Sequence, residues 1–141
     1  MTTELTSEIK TIPYNQENIY LVLSNLENLE RIKDKISYDK VKDFTVDVDS
    51  CSFSVSPIGN VKISIIEREV PKTIKFAADE SPVKVNMWIQ LVAVNEQETK
   101  LKLTVKADLN PFLKPMLSKP LQDGIDKIAD VLATIPYDQV G

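Results

Sequence analysis

Hydrophobic and polar residues alternate with a period of two through most of the middle of the chain. Phe44, Val46 and Val48 alternate with Thr45, Asp47 and Asp49; Cys51, Phe53 and Val55 alternate with Ser52, Ser54 and Ser56. Val61, Ile63 and Ile65 follow, with Lys62 and Ser64 between them, and Ile74 and Phe76 share one parity in the stretch from Thr73 to Ala78. The longest row is Val83, Val85, Met87, Ile89 and Leu91, set against Lys84, Asn86, Trp88 and Gln90. Leu101, Leu103, Val105 and Ala107 then alternate with Lys100, Lys102, Thr104 and Lys106. Strict alternation predicts strands with one apolar face and one wet face. Turn residues punctuate the rows at 57–60, Pro71-Lys72, Ser81-Pro82 and Asn95–Glu98, as hairpin connections require.

The flanks read differently. Residues 3–12 predict a first strand, with Leu5 and Ile9 set against Glu4, Glu8 and Lys10, ending at Pro13. Asn15 is a suitable N-cap for a helix over Gln16–Leu23, with Ile19, Tyr20, Leu23 and Leu26 inward. A second short helix is expected from about Leu26 to Ile36, closed by residues 37–40. Near the C-terminus the period becomes helical: Leu117, Leu121, Ile125, Ile128, Ala129, Leu132 and Ile135 recur at spacings of three and four. Gln122, Asp123, Asp126, Lys127 and Asp130 fall largely elsewhere. A helix of roughly 20–25 residues would span about 30–37 Å, so something large must cover its apolar face. Pro111, Pro115 and Pro120 interrupt its start, because proline lacks the N–H that a helix interior needs. The expectation is a firm part from about Pro120 to Thr134, preceded by a kinked or separate turn over residues 111–119.

The order is therefore one strand, two short helices, about six strands in successive hairpins, and a long helix. This is an α+β class: a curved antiparallel sheet of about seven strands, wrapped around the C-terminal helix. No composition shift or linker divides the 141 residues, so a single domain over 1–141 is expected. TIPY occurs twice, at 11–14 and 134–137, without flanking similarity, which reads as coincidence or as two tyrosines at similar element ends.

Composition narrows the chemistry. The net charge is −4 and the lysines are interspersed with acids, which argues against nucleic acid. The N-terminal MTTELTSEIK has no basic region followed by an apolar run, and no stretch approaches a membrane span, so a cytoplasmic protein is expected. There is no histidine and one cysteine. This removes Ser-His-Asp and Cys-His catalysis, the usual zinc sites and iron–sulfur ligation within the chain. Cys51 lies in an apolar-parity position and reads as a buried, inert thiol. The Asp47–Ile58 stretch starts like a calcium loop, but Ser52 stands where glycine is needed and Ile58 where the bidentate glutamate belongs. No cofactor or metal is expected.

With SEIKTI as first strand, NQENIYLVLSNLENLERI as helix pair, a meander from Asp43 to Ala107 and KPLQDGIDKIADVLATIPY after ADLNPFLKPM, the chain resembles the helix-grip fold of the START and Bet v 1-like superfamily. That superfamily, also called SRPBCC, includes polyketide cyclase/dehydrase-like proteins. TKLKLTVKADLNPFL and the closing helix look like small bacterial members. The resemblance implies a cavity between the sheet and the long helix, holding a lipid, polyketide or similar hydrophobic molecule. It implies no catalytic residues, because its members share no catalytic motif. The lining expected on the sheet is Phe44, Val46, Phe53, Val55, Ile63, Ile65, Phe76, Met87, Ile89, Leu103 and Val105. The helix side is expected to supply Phe112, Met116, Leu117, Leu121 and Ile125, with Ile128 further along. The alternative is a filled core.

Polar groups able to reach such a cavity are few: Tyr14, Tyr20, Tyr38, Ser54, Asn86 and Asn110, each as readily a surface or capping group. Trp88 has outward parity, so it marks either a partner or homodimer face or a site covered by a loop or bulge. Three functions remain open at this point. The first is a binding module for a hydrophobic small molecule. The second is a cyclase/dehydratase-like enzyme using a tyrosine, asparagine or carboxylate. The third is an interaction protein with a filled core.

Overall fold

A computed structural model describes residues 2–31, 41–55, 59–80 and 84–138. Its strands are β1 (Thr2–Thr6), β2 (Lys10–Ile12), β3 (Val41–Val46), β4 (Ser50–Val55), β5 (Gly59–Glu69), β6 (Thr73–Glu80), β7 (Val85–Asn95) and β8 (Glu98–Asp108). They form one sheet in the order β1-β8-β7-β6-β5-β4-β3, with β2 also on β8. Every pairing is antiparallel. Helix α1 (Gln16–Leu23) and a short 3₁₀ helix (Leu26–Arg31) follow β2, and α2 (Lys114–Thr134) closes the order. The residues expected to extend the second helix to Ile36, and its closure at 37–40, lie outside the described residues.

Asn15 caps α1 as its sequence position predicts. Its Oδ1 accepts the Glu17 N–H at 2.8 Å, while its Nδ2 donates to the Glu96 carbonyl at 3.0 Å. One side chain thus starts the helix and fixes it to the β7–β8 turn. In that turn Asn95 Oδ1 accepts the Gln97 N–H at 2.8 Å.

The expected first strand is two strands. Ser7 separates them: its N–H donates to the Leu103 carbonyl, and the Leu103 N–H donates to Ser7 Oγ, both at 2.9 Å. The serine hydroxyl stands in for a backbone acceptor, so the chain leaves the ladder without orphaning a buried N–H. Ile9, expected on the apolar side with Leu5, is consequently exposed. Helix α2 holds this interruption with a row of polar groups spaced by four. Gln122 Nε2 donates to the Thr6 carbonyl at 2.9 Å, the Glu8 N–H donates to Asp126 Oδ1 at 3.1 Å, and Lys10 pairs with Asp130 at 2.5 Å.

The closing helix also departs from expectation. It runs unbroken from Lys114 through Pro120 to Thr134, and only residues 111–113 form a separate turn. Pro115 lies in the first turn, where its missing N–H costs nothing. Asn110 Oδ1 accepts the Phe112 and Leu113 N–H groups, each at 2.9 Å. Leu117, packed with Ala107 and Leu109, anchors the proline-containing turns. Tertiary packing here outweighs the bond that Pro120 denies to the Met116 carbonyl. The two TIPY segments meet. Tyr14 and Tyr137 N–H groups each donate to the carbonyl two residues back, Ile12 at 2.9 Å and Ile135 at 3.1 Å, and their rings pack edge to face at 5.7 Å.

Candidate functional site

The cross-strand register gives each inward row of the sheet. One row is Ile74, Ile89 and Leu103; the next is Ile65, Phe76, Met87, Val105 and Leu5; a third is Val46, Cys51, Ile63 and Ala78. Burial along these rows is uneven. Ile74, Phe76, Leu101, Leu103 and Val105 are at most 3% exposed, and Ile89 is 5% exposed. By contrast Val46, Phe53, Ile63, Ile65, Ala78, Val85 and Met87 keep part of their surface, although they share the inward face.

The cause is the position of α2. Its backbone lies against β1, β2 and β8, on one side of the sheet. Its C-terminal half contributes to the main cluster, where Ile125, Ala129, Leu132 and Ile135 join Ile12, Ile19, Tyr20, Leu91 and Leu101. A second, smaller cluster of Ala107, Leu109 and Leu117 lies under its N-terminal half, with Val85, Leu113 and Leu121 against it. The half-covered residues of β5 lie away from the strands on which α2 rests, whereas Val85 at the start of β7 packs against the Leu117 cluster.

The expected lining residues therefore divide. Phe76, Ile89, Leu103, Val105, Leu117 and Ile125 are buried; Val46, Phe53, Ile63, Ile65, Met87 and Leu121 are half-buried and face inward or toward the sheet. Phe112 and Met116 are not brought to the wall: they stand 84% and 63% exposed at the start of α2. Ile128 is also exposed, while Val131, absent from the expected face, is buried. The side chains of Phe44 and Val55, and the whole of Tyr38, lie outside those described.

Sequence parity missed one placement. The ladder between β5 and β6 slips between Ile65 and Glu67, so Arg68 stands opposite Ile74, on that residue's side of the sheet but with its side chain exposed. Such a bulge re-aims every later side chain. Arg68 Nη2 donates to Asp49 Oδ1 at 2.5 Å and to the Ser24 carbonyl at 3.1 Å. Asp49, the calcium-loop candidate, is thus engaged by a cation. Doublets of apolar residues such as Ile65-Ile66 are the only local signal of the slip. Of the other polar candidates, Asn110 is a capping group and Asn86 Nδ2 donates to the Phe76 carbonyl at 3.3 Å. Trp88 faces outward as its parity predicts, with Lys75 and Lys106 ammonium groups 5.2 and 5.5 Å from its ring centroid.

Cys51 is 4% exposed, and burial pushes its thiol up to about 12 from 9.0. The thiolate fraction at pH 8 falls by about a thousandfold with such a shift. Cys51 is accordingly expected to resist a thiol-specific reagent in the native protein and to react within minutes in denaturant; rapid native labelling would contradict its placement.

Among the described residues an eight-stranded antiparallel sheet, a short helical pair after the first strands and a long C-terminal helix against one face of the sheet define the topology. Norcoclaurine synthase from Thalictrum flavum, solved in complex with dopamine and hydroxybenzaldehyde, superposes with a TM-score of 0.73 at 13% identity, over 99% of this chain and 88% of that one. A START superfamily protein from Mycobacterium smegmatis gives 0.68 at 12% identity, covering 94% of each chain. The chain has the helix-grip fold of the START/Bet v 1-like superfamily. A conserved protein from Geobacillus kaustophilus extends the helix-grip likeness, with a TM-score of 0.59 at 15% identity over 94% of this chain and 93% of that one. No protein-family model matches the chain, and no curated protein matches it in sequence. Among the described residues no helix is long and apolar enough to cross a membrane.

Proposed function

We propose that the protein binds a hydrophobic small molecule, a lipid, polyketide or similar compound, between the concave sheet face and α2. The observation that carries this reading is the uneven burial of the inward rows. Ile63, Ile65, Val85 and Met87 share the face of fully buried neighbours yet keep accessible surface. Apolar area left on a concave face gains stability when a ligand covers it, at roughly 25 cal/mol per Å². The helix-grip likeness supports the same reading, since the superfamily binds hydrophobic small molecules. The buried, unpaired thiol of Cys51 suits a reducing compartment.

Native mass spectrometry of the protein purified from its own cells tests the reading. The expected spectrum contains a species heavier than the chain by a lipid-sized mass, lost on denaturation. A spectrum of the bare chain alone, together with no uptake of added amphiphiles, would count against it.

A further inference from the structure

Tyr20 lies on the inward side of α1 and is 3% exposed, yet its hydroxyl has no hydrogen-bond partner among the described residues. Buried hydroxyls are almost always paired, and an unpaired one is costly. Phenylalanine would fill the same volume without that cost. The ring belongs to the main core cluster, against which Ile63 and Ile65 of the half-covered wall also pack. The corner around it is held firmly. The Leu26 N–H donates to the Val48 carbonyl at 2.9 Å and the Ile65 N–H to the Asp49 carbonyl at 2.8 Å. Arg68 Nη2 ties the end of α1 to the same turn. Its positive charge reaches Tyr20, where it opposes the effect of burial on the hydroxyl.

We propose that the Tyr20 hydroxyl is the anchoring donor for the polar end of the bound molecule, and that this end is an oxygen acceptor, a carbonyl or carboxylate. This rests on the binding reading above and adds the chemical class of the ligand: an apolar body with an acceptor oxygen at one end. A phenolic O–H donates to a carbonyl or carboxylate oxygen, whereas a quaternary ammonium end offers it no acceptor.

The test compares dodecanoate with dodecyltrimethylammonium by isothermal titration calorimetry, on the wild-type chain and on Tyr20→Phe. Wild type is expected to prefer dodecanoate. Tyr20→Phe is expected to weaken dodecanoate about tenfold to a hundredfold, the range for a lost hydrogen bond to a charged group, and to leave the cationic amphiphile unchanged. The melting temperature of unliganded Tyr20→Phe should equal or exceed that of wild type, because no internal bond is removed. Equal dodecanoate affinity in both proteins, or a wild-type preference for the cation, overturns the anchor while leaving the binding reading in place. Binding of neither amphiphile by wild type overturns both. A lower melting temperature for Tyr20→Phe overturns the anchor independently of any probe, since the hydroxyl would then have a partner within the fold.

Discussion

Ile125→Asp is expected to abolish cooperative thermal unfolding as followed by circular dichroism. Ile125 is 4% exposed and sits in the main cluster, where α2 meets the sheet. The substitution removes a buried apolar side chain, worth about 2–5 kcal/mol. It also places a carboxylate where it must either lose its hydration or force the helix away, at a further cost of several kcal/mol. A domain of this size has only about 5–15 kcal/mol to lose. Ile128→Asp is the control. It makes the same chemical change three residues on, but Ile128 is 38% exposed, so its melting temperature should stay within a few degrees of wild type. A melting temperature for Ile125→Asp close to wild type would refute the placement of α2. Equal damage from both substitutions would mean that the helix is rotated.

That contrast marks how far periodicity reads a helix. The spacing of Leu117, Leu121, Ile125, Ile128 and Leu132 identifies an amphipathic helix, but a stripe is wider than the contact it makes. Which edge of the stripe is covered depends on the direction from which the sheet approaches, and the structure favours Val131 over Ile128. The strands were more legible because their period of two admits only two faces. Trp88 and the inward row from Val85 to Leu91 follow directly from it. Alternation fails where the ladder slips. Arg68 comes to the side of Ile74 because β5 holds one more residue than β6 after Ile65, and no local residue preference demands that. The break at Ser7 was hidden for a related reason: a hydroxyl that replaces a backbone acceptor looks, in sequence, like any polar residue of a strand. The unbroken run of α2 through Pro120 shows the same limit from the other side. Proline sets a local cost, and the packing of Leu117 against Ala107 and Leu109 outside the helix outweighs it. For the proposed site, parity reads the inward rows of the sheet; the unpaired hydroxyl of Tyr20 and the placement of Arg68 depend on pairings that no single stretch of chain contains.

Met87→Trp is expected to close the site without unfolding the protein. Met87 stands in register with Phe76 on one side and Val105 on the other, and both of these are buried. Met87 itself is half-buried and packs against the edge of the main core cluster, so part of its side chain is left uncovered. In a filled core an enlarged side chain forces its neighbours off their rotamers at about 1–3 kcal/mol. Beside open apolar surface it covers that surface instead, so the melting temperature should hold or rise by a few degrees. A ligand displaced from the volume of three or four methylene groups loses about 2.5–3 kcal/mol at ~0.8 kcal/mol each, which corresponds to a loss of affinity on the order of a hundredfold. Dodecanoate titration of Met87→Trp should show that loss, and the species co-purifying with wild type should be missing from its native mass spectrum. The two measurements separate the alternatives by opposite signs. Strong destabilisation with binding intact would mean that the wall around Met87 is packed and the molecule sits elsewhere. Retained stability with binding lost is what a half-covered wall between β5 and α2 requires.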